Sequence, residues 1–248
     1  MAGKRPTDAP GAGSLGFTYA PVMFQTDHEP DVRLACFRVR KILEGVVHDT
    51  VALEGNPFTL PEVKTLLDGV TVGGHRLEDQ RQVLNQAESW KELLARVEKR
   101  SFELDRTTFC DLHALVARKE AADWGVFRTD SVTIAGTDYQ PPPWESLESM
   151  FDSGLETLQA INSRHERAVA MFLFGALNQF FYDGNKRTSR LMMNGILLGA
   201  GEDAISVPAR RRLPFNEAMI RFYDTRDGTE MMHFMASCSL DPRLRTDA

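Results

Sequence analysis

Two strongly apolar segments lie between residues 166 and 200, and a polar break separates them: Gln179-Phe180-Phe181-Tyr182-Asp183-Gly184-Asn185-Lys186-Arg187-Thr188-Ser189-Arg190. This arrangement constrains the fold more than any other feature. It predicts two central helices, each buried on most sides, that meet at a turn rich in charge. The longest apolar run, Ala168 to Leu177, has ten residues, about half of what a membrane-spanning helix needs. No membrane partner is expected.

Around this pair the helical period continues. Val32, Cys36, Val39, Leu43 and Val47 recur as one apolar stripe, predicting a first long helix that starts near Pro30 and is broken by Asn56-Pro57. Thr59-Leu60-Pro61-Glu62 reads as a fresh start, with Thr59 as N-cap and Glu62 completing a capping box. Further helices are expected at about 78–99, 105–118, 144–162, 165–180, 187–200 and 213–238. One stretch departs from the pattern. Phe127 to Gly136, followed by Pro141-Pro142-Pro143, is rich in strand formers between turn formers, and predicts an isolated hairpin flap. The expected class is all-α, mainly helical, with one β flap.

Composition removes several functions. Lys plus Arg number 29 against 35 for Asp plus Glu, a net charge of −6, so no uniform basic field would hold nucleic acid. The hydrophobic fraction of 42% supports a real core. Cys36, Cys110 and Cys238 are odd in number and far apart, which excludes a disulfide framework or a CxxC zinc site and fits a reducing compartment. Residues 1–16 are rich in Gly, Pro, Ala and charge without an apolar h-region. They read as a disordered tail rather than a secretory signal. A cytoplasmic location is expected.

The polar break can do chemistry. It feeds a helix whose first-turn N–H groups are free, and Gly184 with Asn185 can adopt the φ > 0 conformations that point successive amides into one concavity. Arg187 and Arg190 fall on neighbouring positions of one helical face. Asp183 adds a carboxylate suited to Mg²⁺ bridging phosphate oxygens. These parts suit a polyphosphate with a metal, although Asp-Gly-Asn is also an ordinary helix-to-helix turn. A second segment, Thr50-Val51-Ala52-Leu53-Glu54-Gly55-Asn56, places an acid at the unfavourable end of a helix dipole, so Glu54 needs a partner elsewhere.

The stretch Q-F-F-Y-D-G-N-K-R-T-S-R resembles the central pattern of the Fic (Fido) family, H-P-F-x-(D/E)-G-N-(G/K)-R-x-x-R. Thr50 to Gly55 is similar to that family's inhibitory pattern, (S/T)-x-x-x-E-(G/N). Trp124 to Arg128 followed by Ser131 to Gly136 resembles the approach to its target-docking flap, and His165-Glu166-Arg167-Ala168 the start of the preceding helix. The resemblance covers about residues 29–240. It implies an N-terminal helical region with the inhibitory motif at 17–104, a Fic core at 105–240 and a tail at 241–248. It also implies a protein adenylyltransferase type of activity, with ATP and Mg²⁺ as cofactors and a target protein modified on a Ser, Thr or Tyr hydroxyl. Asp183 would hold Mg²⁺, and Gly184, Asn185 and Lys186 would cradle phosphates. Arg187 would contact phosphate, and Arg190 would grip the γ-phosphate. Glu54 would pair with Arg190 and inhibit. Ser131, Val132, Thr133, Ile134, Ala135 and Gly136 would form the docking flap.

The departure falls on the reacting group. Where the family has its base His, this chain has Gln179, whose amide hydrogen-bonds but accepts no proton near neutral pH. General base catalysis is worth ~10²–10⁴ in rate, about 3–5 kcal/mol of barrier. No other histidine replaces it: His165 lies fourteen residues earlier, about 21 Å along a helix, a core role is expected of His113, and His28, His48, His75 and His233 lack a partner motif. Weak or lost transfer with retained nucleotide binding is therefore expected. Lys186, found in relatives that transfer phosphoryl, leaves phosphoryl transfer open, and a non-enzymatic interaction module using the flap is the other alternative. The oligomeric state is left open.

Overall fold

The computed structural model describes residues 14–22, 24 and 29–240. Ten α-helices form among these residues: α1 Val32–Lys41, α2 Leu43–Leu53, α3 Leu60–Leu67, α4 Leu77–Glu98, α5 Arg106–Val116, α6 Leu147–Ala160, α7 Arg164–Asn178, α8 Asn185–Gly199, α9 Arg212–Thr225 and α10 Thr229–Ala236. The fold is mainly helical, as the periodicity predicts.

α7 and α8 form the centre. Every residue of α7 from Ala168 to Asn178 is buried, and α8 is buried from Arg187 to Leu198. Ser163 caps α7 by accepting from the Glu166 N–H at 3.3 Å. The two helices approach closely because Gly175 has no side chain; a Cβ there would lie 2.0 Å from Ser189 Oγ. α4 packs on α8, α5 and α2 from one side, while α6 and α10 pack on α7 from others. Phe109, Phe127, Phe151, Phe174, Phe180 and Phe181 interleave as an aromatic cluster under the polar break. Asn194 then ties α8 to the following segment, donating to Ile205 O at 3.0 Å and accepting from Ile205 N–H at 2.8 Å.

Four sequence expectations are corrected. The first long helix is two, because Ile42 leaves helical geometry at φ −127°, ψ 22°; an apolar stripe continues across such a kink, so periodicity does not register it. The helix expected at 213–238 is also two, since Arg226 turns left-handed at φ 57° and ends α9. The hairpin flap is not formed. Residues 131–134 have no regular secondary structure and 135–136 turn, no strand ladder exists there, and the only bridges among the described residues are Thr18 with Asp227 and Ile205 with Ser239. Strand-forming residues alone do not make a hairpin without a partner strand, and the three prolines that follow offer no N–H. Finally, of the tail expected over residues 1–16, residues 1–13 lie outside the described residues, but Leu15 is buried in the core. The tail expected at 241–248 also lies outside the described residues.

At Thr59 the expected start is present: the Glu62 carboxylate accepts from the Thr59 N–H at 2.8 Å and its hydroxyl at 2.7 Å, and α3 begins at Leu60.

Candidate active site

The turn between α7 and α8 is set by two left-handed residues. α7 ends at Gln179, φ 47° and ψ 60°, and α8 starts after Gly184, φ 73°. Gly184 fits because a left-handed turn costs it little. Asn185, expected to share that conformation, is instead the first residue of α8 and shapes the loop through its side chain. Its Oδ1 accepts from the Phe181 N–H at 2.9 Å, and its Nδ2 donates to Phe181 O at 2.8 Å and to Gln179 Oε1 at 2.9 Å.

Gln179 therefore has an internal job. Its Nε2 donates to Ala176 O at 2.6 Å while its Oε1 receives Asn185, so the amide sews the end of α7 to the start of α8. The residue lines the adjoining cleft, but both polar atoms of its side chain are engaged within the loop.

Two buried or half-buried ion-pair systems flank the turn. Arg187, 3% exposed, donates to Glu120 Oε2 at 2.6 Å and to Asp183 Oδ2 at 3.3 Å. Burial works against its charge, but Glu120 and Asp183 prevail and raise its pKa. Glu120 is itself held by Asn85 Nδ2 at 2.8 Å. On the other side, Arg190 Nη2 donates to Glu54 Oε1 at 3.0 Å, and Lys186 Nζ lies 3.1 Å from Glu54 Oε2. Burial alone would push the Glu54 carboxyl up; the charges of Lys186, Arg190 and Arg187 outweigh it and hold the group down at about 2. Burial lowers Arg190, with Glu54 opposing. Gly55, at φ 88°, follows Glu54 and ends α2 beside the Arg212 guanidinium.

A cleft of about 420 Å³ opens over this turn, within the size range of small-molecule sites. Asp183, Gly184, Asn185, Lys186 and Arg187 form its floor, and Glu54 one wall. Thr133, Ile134 and Ala135 reach it from the flap segment; Ser131, Val132 and Gly136 are not among its lining residues. Met219, Ile220 and Tyr223 of α9 add an apolar wall. Of the two aromatics at the end of α9, Phe222 belongs to the core, edge-on to Phe17, while Tyr223 borders the cleft and stacks on Tyr139. Arg190 does not line the cleft; Glu54 stands between.

Among the described residues no group of three or more His, Cys, Asp or Glu is arranged to hold a metal. Asp183 alone offers a largely exposed carboxylate to the cleft. One carboxylate suits Mg²⁺, which takes most of its ligands from phosphate oxygens and water.

Three supports escaped sequence reading. His113, fully buried, accepts from the Gly125 N–H at its Nδ1 (3.0 Å), so its Nε2–H donates to Asp183 O at 2.9 Å, and its ring stacks on Phe181 at 3.6 Å. Burial depresses its pKa to about 4. Arg128, 2% exposed, donates to the carbonyls of Gln179, Asp130 and Pro142, each at 2.6 Å, and so ties the flap segment to the turn. Glu120 sits in a charged loop whose residue types resemble any solvated turn. The only sequence signal for these was a histidine on an apolar helix face and an arginine inside an otherwise strand-like run.

The chain is similar to known proteins. Residues 103–197 match the family model described as Fic/DOC family. A protein adenylyltransferase Fic from Drosophila ananassae is 24% identical over 221 residues, covering 86% of this chain and 43% of that protein. The counterpart from Drosophila grimshawi is 26% identical over 219 residues, covering 86% and 44%. The chain thus spans less than half the length of these curated relatives. Fic-1 (residues 134–508) from C. elegans shares the fold with a TM-score of 0.71 at 22% identity, over 86% of this chain and 64% of that one. A Fic domain containing signaling protein from Bacteroides thetaiotaomicron gives 0.68 at 18% identity, over 85% and 87%. No helix among the described residues is long and apolar enough to cross a membrane.

Proposed function

The chain carries a Fic/DOC-family domain, and on that premise we propose that it is an ATP–Mg²⁺-binding protein of the protein adenylyltransferase type, autoinhibited through Glu54. The observation that carries this reading is the Glu54 carboxylate, which takes Arg190 and Lys186 on its two oxygens at the edge of a cleft floored by Gly184 and Asn185. A polyphosphate laid along that floor would meet the N-terminus of α8 and Arg187. It would reach Arg190 only after displacing Glu54, so the carboxylate acts as an internal competitor for the terminal phosphate. Asp183 would hold the Mg²⁺, which neutralises phosphate charge when bound. The apolar wall of Met219, Ile220 and Tyr223 gives a base a surface to pack on.

Activity is expected to be weak or lost. Gln179 stands where a proton acceptor is needed, and its amide is already committed to Ala176 and Asn185. The floor and its charges remain, so binding and positioning would persist without the base. The flap segment, without a strand partner among the described residues and anchored by Arg128, is suited to receive a strand from a target protein bearing a Ser, Thr or Tyr hydroxyl. The unpaired cysteines fit a cytoplasmic setting.

The test is the double variant Gln179→His, Glu54→Gly, incubated with α- or γ-labelled ATP. Label retained from the α-position alone supports an intact AMP-transfer site. Label from the γ-position alone moves the reading to phosphoryl transfer. No label, together with no ATP binding by Glu54→Gly, removes the nucleotide reading and leaves a protein-interaction module acting through the flap.

A further inference from the structure

Behind Arg190, on the side away from the cleft, lies a second and much smaller cavity. Its walls include Thr50 and Leu53 of α2, Gln86 and Trp90 of α4, and Arg190 of α8. Its volume is about 10 Å³, and a single water needs ~10–15 Å³ by the same measure.

The chemistry of this cavity is unusual for a core. Gln86 is 1% exposed, Trp90 2% and Arg190 5%. Gln86 Oε1, Trp90 Nε1, and Arg190 Nε and Nη1 are all buried without a protein partner. Among the described residues, four of the six buried side-chain atoms in that condition belong to these three residues. A buried N–H or carbonyl left unpaired keeps its full desolvation cost, so four such atoms on residues that line one hole mark it as a place for a polar guest. The neighbouring phenylalanines offer none: Phe215 meets Arg190 only through its ring, 5.7 Å from the guanidinium carbon.

We propose that this cavity is a binding site for one ordered water molecule, which clamps the back edge of Arg190. Water fits the donor set better than a small anion. With two lone pairs it accepts from one Arg190 N–H and from the Trp90 N–H while donating to Gln86 Oε1, whereas a halide would face that oxygen without a hydrogen to share. The local charge is also already balanced. Lys186, Arg187 and Arg190 are matched by Glu54, Glu120 and Asp183, so no net positive charge remains to hold an anion. The consequence concerns Arg190. Its front edge is held by Glu54 and its back edge by the water, so the guanidinium keeps its place when Glu54 is removed. This inference rests on packing and holds whether or not the cleft takes a nucleotide.

Crystals of the full chain, and of Glu54→Gly, diffracting well enough to show ordered solvent test it. The expected result is one solvent peak within hydrogen-bond reach of Arg190, Trp90 and Gln86, present in both proteins and silent in anomalous maps after a bromide soak. A bromide peak there would make the site an anion site and overturn the proposal, as would an empty cavity or a Gln86 side chain turned to cap Arg190 directly. A peak lost in Glu54→Gly would overturn the clamping role. In solution, the Trp90 indole N–H, identified by its disappearance in Trp90→Phe, is expected to show a cross-peak to a long-lived water, and its absence would count equally against the site.

Discussion

Lys186 and Glu54 are 132 positions apart in sequence and 3.1 Å apart in space, and their contact makes the Glu54 carboxylate a two-cation latch. Arg190 holds the other oxygen at 3.0 Å from a far more buried position. The two partners differ in weight for that reason. Lys186, half-exposed, is expected to contribute no more than a partly solvated pair does, about 0.2–1 kcal/mol. Removing Arg190 would leave Glu54 with one partner and a hole in the core, a loss of about 3–5 kcal/mol. Urea unfolding of Lys186→Ala and Arg190→Ala should rank them in that order; equal losses would mean that the latch is shared evenly.

The latch also sets an acid limit. The Glu54 carboxyl sits at about 2 in the folded chain against an ordinary value of 4.5. A depressed carboxyl contributes stability that is fully present above its unfolded pKa and is lost as pH falls through the folded one. Glu54 should therefore support the fold above pH 4.5 and surrender that support between 4.5 and 2. Melting temperatures of wild type and Glu54→Gln, followed downward in pH, should converge across that window. A constant gap would show that the carboxylate charge does not matter.

Gln179 is predicted to matter for stability as well as chemistry. Gln179→Ala deletes the bonds to Ala176 O and from Asn185 Nδ2 and keeps a side chain at φ 47°, so about 1–2 kcal/mol should be lost. Chemical denaturation reads this directly. An unchanged midpoint would mean that the amide's bonds inside the loop are not worth more than its bonds to water.

Glu120 is the residue whose removal should be felt most at Arg187. Glu120→Ala strands a guanidinium that is 3% exposed, leaving only Asp183 at 3.3 Å, and a loss of about 3–5 kcal/mol is expected. Glu120→Gln, which keeps an acceptor, should recover part of it. If both variants melt like wild type, Arg187 has rearranged toward solvent.

Gly175→Ala tests the closeness of the central helices. The added methyl would lie 2.0 Å from Ser189 Oγ, and a well-packed core yields to such an insertion at a cost of about 1–3 kcal/mol. The gain that alanine ordinarily brings to a helix should be reversed in sign, as measured by thermal unfolding.

Much of this molecule is written in local pattern. Apolar spacing located nearly every helix, Thr59-x-x-Glu62 marked the start of α3, and the polar break between two greasy segments located the turn at Asp183-Gly184-Asn185. These features are legible because capping, periodicity and turn conformation act over three or four residues. The kinks at Ile42 and Arg226 were not legible, since a stripe of apolar residues runs on across a bend that only packing imposes. The hairpin at 127–136 was over-read: strand formers state a preference, but a ladder needs a partner, and this segment is held by Arg128 reaching three carbonyls instead.

What the sequence determined by itself is therefore where most of the helical segments lie and the position of one polar turn between two of them. What only the tertiary structure decided is who meets whom. Glu54, Lys186 and Arg190 share one carboxylate, Glu120 reaches Arg187 across 67 positions, and Gln86, Trp90 and Arg190 converge on one cavity. Charge pairing and burial depend on distance in space, and a chain's local preferences carry no record of that distance until its helices pack.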